Sequence, residues 1–393
     1  MGVPGEVPAV SKDRLLGLLS DLIRIKSVNP SLVPGGNGEA DVARYLGDYM
    51  RHMGLSVRYQ ALGPGRANVI GVLKGTGGGK SLMLNGHIDT VSTDGMDIDP
   101  LLPRLADGKV YGRGSCDMKG GVAAMVEAVD AVRRSGAALR GDVIVTCVGD
   151  EEYASVGTEA VVKEKELRAD AAINCEPTGL DLVVAHKGFA WVRATVDGKA
   201  AHGSLPSEGV DAIVKAGHLL VEVEDMASQA LSKKVHPLVG AASIHASLIS
   251  GGTELSTYPV KCVVELERRT IPGEDRDTVV REMDDLVRRL ASRDPAFRAK
   301  CEVFFYRPPF EVSPEEGIVR TLRQASIEAT GREPKFCGTP AWLDSAILKD
   351  AGIPTAVFGP TGAGAHSAVE WVDFDSVVDA SKVLARAIAR FCA

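Results

Sequence analysis

The chain is short of positive charge: 45 Lys+Arg stand against 52 Asp+Glu, a formal net charge of −7 over 393 residues. No long Lys/Arg run offsets that balance, which excludes nucleic acid as the principal partner, since such binding calls for a basic stripe. No apolar stretch reaches the roughly 18 residues that a membrane-spanning helix needs. The opening MGVPGEVPAVSKDR has neither a basic start nor an apolar h-region, so no secretory signal is expected. Gly2 follows Met1, but Glu6 stands where a myristoylation signal carries Ser or Thr. The seven cysteines are odd in number, widely spaced and without a C-x-x-C pair. Free thiols in a reducing cytoplasm are therefore expected, rather than a disulfide frame or a cysteine zinc finger. G-x-S-x-G and H-E-x-x-H are also missing, which removes the serine-hydrolase elbow and the helix-borne metalloprotease site. What remains is a chain with 45% hydrophobic and 25% charged residues, ordinary for a folded soluble protein and long enough to bury a core without staples.

Short apolar runs at 68–73 (NVIGVL), 81–86 (SLMLNG), 142–148 (DVIVTCV), 170–175 (DAAINC) and 354–358 (PTAVF) read as strands. Between them, 119–134 (KGGVAAMVEAVDAVRR) and 157–167 carry apolar residues at helical spacing. Strands alternating with helices predict a largely parallel sheet covered on both faces. The pattern changes near Lys187. Residues 188–197 alternate as a half-exposed strand, followed by a helix at 209–229, strands at 241–250 and 259–267, a helix at 275–291 and a strand at 300–306. This βαββαβ order predicts a small α+β domain over 187–308, inserted into an α/β domain made of 1–186 and 309–393.

Polar residues that can do chemistry stand where the buried strands end. His87 and Asp89 follow the run 81–86, Asp150, Glu151 and Glu152 follow 142–148, and Glu176 follows 170–175. His366 lies in GPTGAGAH after 354–358, and Asp117 immediately precedes a helix. In an open α/β sheet ligands bind beyond the carboxyl ends of the strands, so these residues can converge at one edge. Two histidines and several carboxylates suit a divalent metal, most simply zinc, and five or six ligands over-supply one ion but match two. A dinuclear site needs a bridging carboxylate. Asp89, two residues beyond His87, is placed to accept the second imidazole N–H. The Glu-Glu pair offers one carboxylate for metal and one free to take a proton from water.

The strings LNGHIDTV, YGRGSCDMKGG, GDEEYASVGT, NCEPTG and FGPTGAGAHSAVEWV, in that order, resemble the dinuclear zinc amidohydrolases and metallopeptidases. That family contains acetylornithine deacetylase, succinyl-diaminopimelate desuccinylase, aminoacylase and glutamate carboxypeptidase. The resemblance implies a zinc-peptidase-like α/β catalytic domain with an inserted α+β lid and dimerisation domain. It implies that His87 and Glu176 hold one metal, that Glu152 and His366 hold the other, that Asp117 bridges and that Glu151 is the general base. Asp89 would orient His87, and the Asp117–Met118 peptide would be cis. In the lid, AHGSLPSEGVDAI resembles the segment whose histidine, here His202, stabilises the oxyanion. In ERRTIPGED, Arg269 is the clamp candidate for a substrate carboxylate. Arg268 is its alternative, and the two are mutually exclusive because neighbours on a strand face opposite ways. Ser256 and Gly338 complete the candidate substrate contacts. GGTELSTYP carries Ser256 where the family more usually has Asn, WLDSAIL departs from a more usual Thr-Asp-Ala, and Thr361 replaces a more usual Gly.

Two other features read differently. GTGGGKS at 75–81 misses the first P-loop glycine because Lys74 stands there, and a strand follows it, so a hairpin loop is expected. Cys116 has acidic neighbours, which raise rather than lower a thiol pKa, so it is read as packing. The expected protein is a cytoplasmic homodimeric hydrolase of amide bonds in N-acyl amino acids, with two divalent ions (zinc, or cobalt or manganese). A carboxypeptidase or dipeptidase of the same family is the alternative, and a non-catalytic metal-binding scaffold is the alternative of another class.

Overall fold

The computed structural model describes residues 9–393. The readings on secretion and on Gly2 and Glu6 turn on residues 1–8 and lie outside the described residues. Among the described residues, no helix is long and apolar enough to cross a membrane, and all seven cysteines are free.

The chain divides into two compact units, one of 1–184, 312–337 and 343–393, the other of 185–311 and 338–342. In the first, strands run side by side in the order Ser56–Gly63, Arg66–Leu73, Val143–Val148, Leu82–His87, Ala171–Asn174, Thr355–Val357 and Leu182–His186. Only the middle four are mutually parallel, and the strands at either side run antiparallel to their neighbours. The sheet is therefore mixed, not largely parallel as the alternation predicts. Apolar runs report burial on both faces but carry no information on direction.

The loop 74–81 is likewise not a hairpin. Arg66–Leu73 and Leu82–His87 are separated by Val143–Val148, which pairs with both. The glycines instead let the loop lie on the 139–142 backbone, where Thr76 N donates to Leu139 O and Gly77 N to Arg140 O. A Cβ at Gly79 would stand 2.5 Å from Gly141 N.

Helix Gly120–Ser135 is buried at every residue from Gly120 to Val132 and ends at Gly136, whose φ of 68° closes it in the left-handed region. Its apolar residues leave almost no polar face, and it packs against the closing helix Phe374–Phe391, which Asp373 caps by accepting from Ser376 N. Gly121 is required where the helix meets the sheet, since a Cβ there would come 1.9 Å from Cys175 O. That contact sets the helix start beside the strand end that carries Glu176. The helix predicted over 157–167 is shorter, Val156–Lys163, with a separate turn Lys165–Leu167 after it.

A small antiparallel sheet in the same unit joins Gly362–Ala363, Trp371–Asp373, Lys109–Tyr111 and Arg104–Ala106 in that order. It brings the glycine-rich segment of His366 alongside the segment that leads to Asp117.

The second unit has the expected βαββαβ order: Gly188–Asp197, Ala212–Asp225, Ser243–Gly251, Lys261–Thr270, Arg276–Arg293 and Arg298–Arg307. Its four strands form an antiparallel sheet with Ser243–Gly251 at one edge and Arg298–Arg307 at the other. A separate core forms around Val192, Leu219, Val264, Leu286 and Phe297. Residues 338–342, which the linear division assigns to the catalytic part, fall with this unit.

Candidate metal centre

Four strand ends deliver the site in the first unit. His87 closes Leu82–His87 and is 1% exposed. Its Nδ1 lies 3.0 Å from the main-chain O of Asp89, and its Nε2 lies 3.0 Å from Asp117 Oδ1 and 3.9 Å from Glu176 Oε1. His366, at a φ of 61° in the glycine-rich turn, sets Nε2 2.9 Å from Glu152 Oε2 and 3.4 Å from Asp117 Oδ2. Two three-residue groups result, His87–Asp117–Glu176 and Asp117–Glu152–His366. In each, the ligand atoms lie within 4.8 Å of one another. Asp117 belongs to both, one oxygen toward each histidine.

Asp89 faces the His87 imidazole with both its carbonyl and its carboxylate. The nearest acceptor to His87 Nδ1 is the Asp89 carbonyl, while its carboxylate Oδ1 stands 3.6 Å away. The fully buried carboxylate also reaches the glutamate turn: Oδ1 accepts from Glu151 N and Oδ2 from Glu152 N, both at 3.2 Å, and Oδ2 accepts from Asn29 Nδ2 at 2.8 Å. Asp89 thus holds the turn carrying the two glutamates. Asp150 fixes the same turn from behind, at a φ of 75° and 2.8 Å from Arg66 Nη2.

The electrostatics are those of acids crowded out of water. Burial pushes the Glu151 and Glu176 carboxyls well above the usual range, and burial with the Asp117 charge pushes Glu152 up to about 7. Burial would raise Asp117 as well, but hydrogen bonds from His366 and His87 outweigh it and hold Asp117 below its usual value. Those to Asp117 and Glu152 carry His366 up to about 10. Glu176 Oε1 is buried without a hydrogen-bond partner. Such an atom, among converging acids, has the chemistry of a cation ligand, so the donor set fits two divalent ions. Glu151 is the acid left over: it belongs to neither group, and its Oε2 stands 4.0 Å from His87 Nε2.

Several further residues of the quoted strings lie around the site without a ligand role in the sequence reading. Asp344 is 1% exposed, accepts from Thr158 Oγ1 at 2.6 Å and is pushed up to about 6 by burial. Lys119 is buried, lowered to about 7 by that burial, and donates from Nζ to Leu22 O and Ile25 O. Glu370 sits in the quoted HSAVEWV string as a lone acid among apolar residues, which was its one visible cue. Cys116 is raised above the ordinary thiol range by burial and then by Asp117. Asp117–Met118 is a cis peptide.

In the second unit, His202 is exposed. Ser204 N donates to its Nδ1 at 3.2 Å, and Ser204 Oγ lies 2.7 Å from the same atom. An N–H aimed at Nδ1 makes that nitrogen the acceptor, so the neutral ring carries its proton on Nε2. Gly203 N donates to Ser256 O, laying the His202 segment beside ELSTYP. Arg268 and Arg269 face opposite ways, as strand alternation requires. Arg268 is wholly buried on Glu274 and Glu282, whereas Arg269 pairs with Glu267 at 2.6 Å and lies 5.2 Å from the Phe189 ring centroid. Gly338 is needed for a close approach, since a Cβ there would come 2.6 Å from Leu238 O.

A mixed α/β sheet with acids and histidines at its strand ends, grouped in two sets around one shared carboxylate, defines the class of metal-dependent hydrolases. The chain belongs to Peptidase family M20/M25/M40, whose family model matches residues 83–390. It is 31% identical to an acetylornithine deacetylase of Myxococcus xanthus over 83% of this chain and 84% of the relative. It is 29% identical to the N-formyl-4-amino-5-aminomethyl-2-methylpyrimidine deformylase of Halalkalibacterium halodurans over 97% of this chain and 95% of the relative. Among solved structures, aminopeptidase PepT from Bacillus cereus superposes with a TM-score of 0.79 at 21% identity, over 98% of this chain and 100% of that one. The protein is thus a hydrolytic enzyme acting on amide bonds, and its family is metal-dependent.

Proposed function

We propose that the enzyme removes a small acyl group from the nitrogen of an amino acid or related amine, using two divalent ions. The observation that carries this reading is the pair of three-ligand groups sharing Asp117, with Glu151 beside them and outside both. A deacetylase and a deformylase among the relatives support an acyl-amide substrate. His87 and Glu176 would hold one ion, Glu152 and His366 the other, and Asp117 both. Held there, divalent ions, most simply zinc, would supply Lewis-acid polarisation of the amide carbonyl and acidify a water. Glu151 takes the proton of the attacking water and returns it to the leaving amine. Asp89 keeps Glu151 and Glu152 in register through their main-chain N–H groups. His202 donates from Nε2 to the developing oxyanion, with Ser204 holding the tautomer. His202→Ala is accordingly expected to leave metal content unchanged and to lower kcat by roughly a hundredfold to a thousandfold, the cost of one oxyanion donor. A change confined to KM would count against that role.

Arg269 is the proposed clamp for a free carboxylate beside the scissile amide. The test is an amine-release assay on chelator-stripped enzyme reloaded with zinc or cobalt, over N-acetyl, N-succinyl and N-formyl amino acids and dipeptides. Metal-dependent release from one acyl group supports the deacylase reading. Release from dipeptides alone replaces it with a peptidase. On an accepted substrate, Arg269→Ala should lose roughly tenfold or more relative to the carboxamide analogue, as befits a charge-assisted bond of about 1.5–3 kcal/mol. Equal losses on both would move the clamp elsewhere.

The free cysteines support a reducing, cytoplasmic setting. The edge strand Ser243–Gly251, with Leu248 and Ile249 exposed, and the exposed Val214 and Val221 on helix Ala212–Asp225 support a homodimer through this unit. Sedimentation showing a monomer at all loadings would remove the dimer.

A further inference from the structure

Three main-chain N–H groups of the loop 114–117, those of Gly114, Cys116 and Asp117, turn inward onto a single carboxylate. Glu370 Oε1 accepts from Cys116 N at 2.9 Å and from Asp117 N at 3.0 Å. Its Oε2 accepts from Gly114 N and from Arg113 Nη1, both at 2.9 Å. Glu370 is 1% and Arg113 4% exposed. Four donors on two oxygens, out of water and one of them charged, make a set of strong, directional bonds. Such a cluster of main-chain N–H groups is an anion nest, and here the anion is a side chain of the protein. Its place in the chain gives this meaning. Glu370 lies four residues beyond His366, on the segment that pairs Trp371 with Tyr111. Arg113 ties the same segment again through Ser367 O at 3.2 Å. The carboxylate therefore links the peptide plane of the residue shared by both ligand groups to the segment bearing a ligand of one of them.

We propose that Glu370 is a positioning residue for the metal centre: it orients Asp117 and keeps it in register with His366, so that the two ion sites form one dinuclear unit. This rests on the two-ion reading above. The carboxylate is required because every contact on it is a donor. In Glu370→Gln an NH2 group must face either the Cys116 and Asp117 N–H groups or those of Gly114 and Arg113, and that pair loses its acceptor.

The experiment compares wild type with Glu370→Gln, Glu370→Asp and Glu127→Gln. Glu127 is the matched control, a buried carboxylate that accepts from Ser11 N at 2.7 Å and Arg134 Nη2 at 2.8 Å but contacts no ligand of either group. Metal stoichiometry and stepwise zinc affinity are read by chelator competition, the ligand field by the visible spectrum of the cobalt-loaded protein, and folding by thermal melts. The expected result is that Glu370→Gln binds the ion of the His366 group roughly ten- to a hundredfold more weakly, the range for groups that hold metal ligands in place, and shifts the cobalt bands. Glu370→Asp, with both acceptors kept, recovers part of the affinity. Glu127→Gln lowers the melting temperature and leaves both metal readouts at wild type. If Glu370→Gln melts lower but keeps wild-type affinities and cobalt bands, the proposal is overturned and Glu370 is a folding residue. If Glu370→Gln does not fold, unchanged metal affinity in Glu370→Asp overturns it in the same way. A wild-type chain that binds fewer than two ions fails the two-ion reading itself, which this series detects before any variant is compared.

Discussion

Glu151→Gln is expected to retain both metal ions and to lose turnover by roughly a hundredfold to ten-thousandfold, the range for removing a positioned general base. The geometry separates the two properties. Glu151 stands outside both ligand groups, with its Oε2 4.0 Å from His87 Nε2, and its main-chain N–H is held by Asp89 at 3.2 Å. The turn is therefore fixed by the backbone, and exchanging a carboxyl for an isosteric amide leaves that bond in place. What the amide cannot do is accept a proton. The native carboxyl is pushed well above its usual range by burial, so it holds a proton more tightly than an exposed carboxylate does. Metal analysis after gel filtration, with kcat on an accepted acyl amino acid, reads the two effects apart. Turnover close to wild type would remove Glu151 as the base. Metal lost in proportion to activity would make it a ligand.

How far the sequence announces this site depends on the kind of contact involved. His87, Glu152, Glu176 and His366 follow apolar runs, and their convergence needs only the rule that strand ends gather at one edge. Asp117 is visible as the acid at a helix start. The opposite directions of Arg268 and Arg269 follow from strand alternation alone. Other features depend on pairings that no local pattern encodes. Strand direction is one: Arg66–Leu73 reads as any buried strand, yet it runs antiparallel to Val143–Val148, and this same pairing turns the presumed hairpin at 74–81 into a crossing loop. The roles of Glu370 and Asp89 are another. Glu370 acts on main-chain N–H groups more than 250 positions away, and the Asp89 carboxylate serves the glutamate turn as well as the neighbouring imidazole. Main-chain donors have no residue identity, so an acceptor that serves them leaves no partner in the sequence to pair it with.

Asp117→Asn is expected to abolish the paired centre, leaving at most one ion after gel filtration. Asp117 offers one oxygen to each group, Oδ1 at 3.0 Å from His87 Nε2 and Oδ2 at 3.4 Å from His366 Nε2. An amide keeps one neutral oxygen and puts an NH2 where the other ion needs an acceptor. The loss can be read without any substrate. An ion bound only by the folded chain stabilises it by about 4 kcal/mol at a thousandfold excess over its dissociation constant, so wild type should melt higher on zinc addition and the variant should gain little. The pH dependence carries a second signature. In the ion-free protein, hydrogen bonds with Asp117 and Glu152 raise His366 to about 10. Because this folded value lies above the unfolded one, the protonated ring stabilises the ion-free fold fully below its ordinary pKa, and that contribution is lost as pH rises through about 10. Metal requires the neutral ring, so each ion entering this group near pH 8 must expel that proton, and affinity should rise about tenfold per pH unit until His366 titrates. Below about 7, Glu152 also holds a proton, and the slope should steepen. Removing the Asp117 charge weakens one of the two interactions that hold the His366 proton, so whatever metal binding the variant keeps should depend less on pH. Retention of two ions with the wild-type thermal gain and slope would mean that Asp117 does not bridge them.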